Sequence, residues 1–276
     1  DADYPAWLRT VYAAPPVLWV RGRLDAGEGS RAVAVVGSRA ATPLGLAFAR
    51  TLARDLAAAG VTVVSGLARG IDTAAHQGAL DAHGRTVAAL GSGLDRLYPA
   101  ENAALARAIE ARGAVVSEFP LGTGPWKGNF PRRNRVIAGW ARATVVVEAG
   151  ARSGALSTAR AALDEGREVM AVPGHPTLPG AEGTNALLRD GAALVRGADD
   201  VLAELGLVRP APAPEARPRE GSPDPVLGAL ARGVPAGVDE IQSRCGLALP
   251  GVLARLAELE IEGAVLRLPG ALFVRG

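Results

Sequence analysis

Cysteine is nearly absent. Cys245 stands alone, so no disulfide can close within the chain and no thiolate cluster can hold a metal. Histidine is almost as scarce: His76, His83 and His175 lie far apart without ligand spacing, and no metal or other cofactor is expected. No uninterrupted apolar run of about 18 residues occurs, which disfavours a membrane span. No secretory leader is read at the start, which opens on Asp1 and leaves room for residues upstream; the cytoplasm is the expected compartment. Aromatic residues make up only 4% of the chain, so one in a polar stretch carries more information than usual. Net charge is slight as well, +2 from 30 basic and 28 acidic side chains. Attraction to a polyanion would therefore need a local cluster of cations.

What is present is a substantial core and a regular rhythm. Hydrophobic residues form 49% of the 276, and 29 of the 30 basic residues are Arg, leaving Lys127 as the one lysine. From Ala32 to about Val201 short apolar runs alternate with helical patterns, the signature of βαβ units. Strands are expected at Val33–Val36, Val61–Val64, Thr86–Leu90, Ala114–Val116, Thr144–Val147 and Glu168–Val172. Helices are expected at Ile71–Ala82, Glu101–Arg112, Asn134–Ala141 and Ala155–Glu165, preceded by one that Thr42 caps and Pro43 opens. On that first helix Leu44, Phe48, Leu52 and Leu56 recur every four residues and should share a buried face. Continuous β-branched runs imply strands covered on both faces, hence a mostly parallel, Rossmann-like doubly wound α/β sheet.

Residues 1–207 are assigned to that domain, with 1–31 as an N-terminal extension. The stretch 208–225, rich in Pro, Ala, Glu and Arg, reads as a linker. Residues 226–276 suggest a winged helix: helices at Val226–Ala231, Val238–Cys245 and Gly251–Glu262, then a hairpin of Val265–Leu268 and Leu272–Val274. Its third helix, the one that would enter a DNA groove, sets Glu258, Glu260 and Glu262 against Arg255, which argues against strong phosphate contact.

Ligand sites in such sheets form where the strands end. Four small-residue loops fall there: Gly37-Ser38-Arg39, Ser65-Gly66 through Asp72, Gly91-Ser92-Gly93, and Glu148 through Gly154. Backbone N–H groups in such loops can approach a phosphate, and the following helix presents its positive end. Gly at a strand-to-helix turn is also expected on geometry alone. No GxGxxG or GxxxxGK[ST] pattern is present, so neither a dinucleotide site nor a Walker A loop is indicated. The densest cluster is Trp126-Lys127-Gly128-Asn129-Phe130-Pro131-Arg132-Arg133-Asn134-Arg135, with four cations and two aromatics in ten positions. Cations neutralise phosphates while a ring stacks on any base. Gly128 and Pro131 are expected to keep this stretch as a loop; the plainer reading is a solvated charge run with its rings tucked into the core.

These motifs resemble the bacterial DNA-processing protein A (DprA/Smf) family. The resemblance rests on VVGSR (Val35–Arg39), SGLARGID-x-x-AH (Ser65–His76), GSGLDRLYP-x-x-N (Gly91–Asn102), SE-x-PLG (Ser117–Gly122), NFPRRNRVIAG (Asn129–Gly139), EAGARSGALSTA (Glu148–Ala159) and GTNALLRDGA (Gly183–Ala192). It implies binding of incoming single-stranded DNA in natural transformation, loading of the recombinase RecA, displacement of single-strand-binding protein, and a homodimer with its contact near Asn185–Val195. The DNA-binding residues it implies, with the rim residues Gly37, Ser38, Ser65 and Gly66, are Arg39, Lys127, Phe130, Arg132, Asn134, Arg135, Gly154, Ser157 and Thr158. No catalytic residue is assigned. Two competing functions stand beside it. A nucleotide phosphoribohydrolase would need a carboxylate where EAGARSGALSTA has Ser157 and Thr158, leaving only Asp72 and Glu118 as acids near the rim. A winged-helix transcription regulator would have to overcome the acidity of its third helix.

Overall fold

The computed structural model describes residues 3–25, 27–207, 224–231, 234–268 and 270–275. The chain divides into two units, Asp1–Pro210 and Ala211–Gly276.

The first unit runs α1 (Ala6–Arg9), β1 (Trp19–Gly22), β2 (Ala32–Val36), α2 (Pro43–Ala58), β3 (Thr62–Ser65), α3 (Ile71–Asp81), β4 (Thr86–Leu90), α4 (Ala103–Arg112) and β5 (Ala114–Ser117). It continues with α5 (Asn129–Trp140), β6 (Ala143–Val146), α6 (Ala155–Asp164), β7 (Glu168–Ala171), α7 (Glu182–Arg189), β8 (Ala193–Leu194) and α8 (Ala198–Glu204). The eight strands form one sheet in the order β1-β5-β4-β3-β2-β6-β7-β8. Every neighbouring pair is parallel except β1 against β5, an antiparallel edge that the apolar pattern did not announce. The chain moves outward from β2 in one direction through β3 to β5, then returns beside β2 with β6 and moves the other way. This reversal opens a crevice beyond the carboxyl ends of β2 and β6.

Alternation along each strand feeds two cores. Val33, Val35, Val63 and Val145 pack with α2 and α3, while Ala34, Val36, Val64 and Val146 pack with α5 and α6. Trp140, at the end of α5, is fully buried in the second of these. As expected, the Thr42 side chain caps α2 by accepting from the Gly45 N–H, and Pro43 fills the first position, where no N–H is needed. Leu44 departs from the expected buried face. It is 83% exposed on the first turn of α2, whereas Leu52 and Leu56 further along the helix lie in the core.

The second unit is a winged helix of α9 (Pro225–Gly228), β9 (Ala236–Gly237), α10 (Val238–Cys245), α11 (Leu249–Ile261), β10 (Val265–Leu268) and β11 (Leu272–Arg275). Its sheet has the order β10-β11-β9, and Val226, Ile241, Leu256 and Phe273 contribute to one small core. The expected linker, 208–225, lies outside the described residues except for its last two. Those two begin α9: Asp224 caps it from outside, accepting from the Val226 and Leu227 N–H groups, and Pro225 is its first residue. On α11 the Arg255 guanidinium is taken up by Asp224, Glu258 and Glu262. Among the described residues no helix is long and apolar enough to cross a membrane.

Candidate nucleic-acid interface

At the crevice, the loop after β2 and the loop after β6 are pinned together where the Ser38 N–H donates to the Glu148 carbonyl at 2.7 Å. The Glu148 carboxylate turns to the start of α2, where it accepts from the Thr42 N–H at 2.9 Å and from the Thr42 hydroxyl at 2.5 Å. It serves the positive end of that helix. Between the loops lies a cleft of about 580 Å³, whose lining includes Gly37, Ser38, Arg39, Arg152, Ser153, Gly154, Ser157 and Thr158. Helix α5 supplies the opposite wall with Phe130, Arg133, Asn134 and Ile137. Their spacing of i, i+3, i+4 and i+7 puts all four on one helical face.

Here the expected loop is corrected. Asn129–Trp140 is helical from Asn129 onward, five residues earlier than the pattern suggested. Pro131 is compatible with this because N–H groups in the first helical turn have no intrahelical acceptor. As a result the arginines of the cluster point in different directions. Arg133 is buried. Its Nη1 donates to the carbonyls of Gly66 and Ala89, each at 2.5 Å, and its Nε to Asn134 Oδ1 at 3.1 Å. It thus ties α5 to the ends of β3 and β4. Burial lowers its pKa to about 10, an effect that the nearby Asp72 charge opposes. Asp72 is buried too, and its Oδ2 accepts from the Gly66 and Ala68 N–H groups at 3.1 and 3.4 Å. Burial pushes its carboxyl above the ordinary range, against the pull of Arg133. A side chain at Gly66 would meet this pair: an added Cβ would lie 2.5 Å from Arg133 Nη1.

Phe130 is half-buried and has a crowded setting. The Arg39 guanidinium carbon sits over its ring, 4.8 Å from the centroid, and that of Arg133 lies 6.0 Å away. Gly91 lets the ring in, since a Cβ there would come within 2.8 Å of Phe130 Cδ1. An aromatic covered by cations at the mouth of a ligand crevice combines a phosphate-neutralising charge with a base-stacking plane.

The remaining expected residues divide into two groups. Asn134 donates to Ser157 Oγ at 2.7 Å, and that hydroxyl in turn donates to the Gly154 carbonyl at 2.7 Å. Together they shape the rim from within, with Thr158 buried beside them. Ser65 is not at the cleft surface: it is fully buried and donates to the Val35 carbonyl at 2.7 Å, joining β3 to β2, while Gly66 lines a small recess beside Phe130 rather than the main cleft. Arg135 is turned away, bonding to the Ala13 carbonyl and pairing with Glu118, so the carboxylate that compensates it is internal. Arg132 is exposed, 5.0 Å over the Phe119 ring and 3.8 Å from Glu118. Lys127 and Trp126 stand on the exposed turn before α5, Trp126 with 70% of its surface free, and neither lines the cleft. Arg133 and Arg152 line the cleft although neither was among the expected DNA-binding residues, whereas Asp72 lies at the rim as expected but is buried and held by backbone N–H groups. A helical register extended back to Asn129 would have found the first, because it aligns Phe130 with Arg133.

The model of the DNA recombination-mediator protein A family matches residues 1–206, and that of the DprA winged helix domain matches residues 210–271. Protein Smf of Escherichia coli is 43% identical over 276 residues, covering 97% of this chain and 74% of that protein. The putative DNA processing protein DprA of Mycobacterium tuberculosis is 46% identical over 260 residues, 91% of this chain and 66% of that protein. Among solved structures, DNA processing protein A from Streptococcus pneumoniae superposes with a TM-score of 0.69 at 42% identity, over 74% of this chain and 71% of that one. DNA processing protein A from Helicobacter pylori, described for its single-stranded DNA binding mode, gives 0.67 at 29% identity, over 73% and 92%. With an eight-stranded Rossmann-like sheet, a winged helix and matches of this extent, the chain belongs to the DNA recombination-mediator protein A (DprA/Smf) family.

Proposed function

We propose that this chain binds single-stranded DNA in the cleft between the β2 and β6 loops. The observation behind the reading is the Arg39–Phe130 pair at the cleft mouth, a cation on an aromatic face beside small-residue loops. The Helicobacter pylori relative, whose structure concerns single-stranded DNA binding, supports the same ligand. Sequence indifference is expected, because stacking and phosphate neutralisation do not distinguish bases. Lys127 extends the positive surface at the turn before α5, and Arg132 adds to it from the exposed side of that helix.

The reading extends to DNA processing in transformation, with the bound strand handed to RecA and single-strand-binding protein displaced. A homodimer would form at the sheet edge, where β8 ends the sheet and Leu194 is 48% exposed. The winged helix serves better as a protein contact than as a groove reader, since Arg255 is committed to three carboxylates. Binding is preferred over hydrolysis on the placement of the acids. Asp72 faces the cleft but is held by two backbone N–H groups, Glu148 caps α2, and Glu118 pairs with Arg135. A phosphoribohydrolase needs a carboxylate at liberty to take part in proton or group transfer.

A gel shift with labelled single-stranded DNA, challenged by unlabelled single-stranded and duplex competitors, tests the proposal. Single-stranded competitor should displace the probe at far lower concentration than duplex. Equal competition, or a preference for one duplex sequence, would overturn it in favour of a regulator.

A further inference from the structure

Resting on the single-strand reading of the cleft, we propose a second base-stacking subsite centred on Tyr98. This residue lies in the loop after β4 and keeps 40% of its surface open. Its ring centroid is 6.0 Å from that of Phe130, with the planes tilted by 47°. A shallow recess joins the two rings; its lining includes Arg39, Arg69, Tyr98, Phe130 and Arg133. Of these, Arg39, Phe130 and Arg133 also line the main cleft, so the recess continues the cleft rather than standing apart from it. It holds only about 20 Å³, too little to enclose a base. Recognition there is by stacking on an open ring face.

The loop that carries Tyr98 is tied down on both sides of the ring by side-chain hydrogen bonds. Ser92 Oγ donates to the Arg96 carbonyl and Ser117 Oγ to the Ser92 carbonyl, each at 2.7 Å. Asn102 Nδ2 donates to the Leu67 carbonyl and to Thr73 Oγ1, both at 2.9 Å. Arg69 lies 5.9 Å over the Tyr98 ring, and Glu101 holds that guanidinium in an ion pair. Arg69 is therefore a positioning residue for the ring, its charge already met. Arg39 lines both spaces, which places it to meet a phosphate linking the two bases.

The ring spacing also bears on selectivity. Successive bases in a duplex strand are about 3.4 Å apart and parallel. Two rings 6.0 Å apart and tilted by 47° suit bases that have left the stack. Only a strand free of a partner supplies them cheaply.

The test uses the full chain and oligothymidylate. Tyr98→Ala should lose roughly 5- to 150-fold in affinity, the effect of one stacked base, while Tyr98→Phe stays close to the parent. An oligonucleotide carrying 5-iodouracil should photo-crosslink to Tyr98, as mapped by mass spectrometry. Full affinity in Tyr98→Ala, with Phe130→Ala weakened and both variants folded by circular dichroism, would remove the subsite and leave the cleft reading standing. Full affinity in both would remove the cleft reading itself. A loss in Tyr98→Ala that vanishes in a Phe130→Ala background, with no crosslink to Tyr98, would reduce Tyr98 to a support for Phe130 and overturn the proposal.

Discussion

The Arg39 guanidinium lies over the face of the Phe130 ring, its carbon 4.8 Å from the centroid, so the loop after β2 and the helix α5 meet in one cation–aromatic contact. A planar guanidinium can stack on the ring and still present its outer face to a base, which a lysine ammonium cannot do. Arg39→Lys should therefore keep the salt dependence of single-stranded DNA binding yet bind more weakly. Arg39→Ala should lose affinity and also reduce the slope of log K against log salt by roughly 0.7. Anisotropy titrations at several salt concentrations separate the two; parent-like affinity in Arg39→Lys would show that charge alone matters.

Lys127 sits on the exposed turn before α5, away from the cleft lining. If it meets a phosphate of the bound strand, Lys127→Ala should lower the salt slope by roughly 0.7. Folding stability should stay within about 0.5 kcal/mol. An unchanged slope would take Lys127 out of the interface.

Arg133 and Arg132 are neighbours with opposite fates. Arg133→Met strands the buried Asp72 and frees two carbonyls, and should cost about 3–5 kcal/mol in urea denaturation. Arg132→Ala, on the exposed side, should cost no more than about 1 kcal/mol. Similar losses at both positions would contradict the buried role assigned to Arg133.

Gly91→Ala tests the seat of the aromatic ring. The new methyl would fall 2.8 Å from Phe130 Cδ1 and force the ring aside. Affinity for oligothymidylate should drop while the far-ultraviolet circular dichroism spectrum is kept. Retained affinity would mean that the ring position is unimportant to binding.

His76 makes stability depend on pH. It is fully buried, with Nδ1 2.7 Å from Thr86 Oγ1, and burial lowers its pKa to about 3. The unfolded chain, with the ordinary value near 6.5, takes up a proton that the folded chain refuses. Stability is thus fully present above pH 6.5 and falls as pH drops below it, by roughly 1.4 kcal/mol per pH unit from this residue. Asp72, whose carboxyl is raised by burial, has the opposite sign: the folded chain takes up its proton first, which offsets part of the loss at lower pH. Urea midpoints at pH 7.5, 6 and 5 should decline in the parent and decline less in His76→Gln. Parallel declines would assign the effect elsewhere.

Much of the architecture was legible in local pattern. The Thr42 cap, the β-branched runs of β2 to β4 and the Gly-rich turns after them all lie where the residues predicted, because each depends on a few neighbours in the chain. The candidate site was legible as a cluster around Phe130 and as a set of loops, but not as a geometry. Taking Pro131 as a loop residue hid the helical face that aligns Phe130, Arg133, Asn134 and Ile137. Leu44 fitted the period of its helix and is nonetheless exposed, since periodicity says which face a residue shares and not how far the core extends beneath it.

By its own residues the sequence determined the alternation of strand and helix, the winged helix and the family, each written in short-range spacing or in ordered motifs. The tertiary structure alone decided that β6 lies beside β2 and opens a crevice there, because strand order is set by packing between segments distant in the chain. It also decided which arginine turns inward. Arg133 is buried because carbonyls at the ends of β3 and β4 receive it, whereas Arg132 and Arg135, of the same chemistry, meet other surroundings.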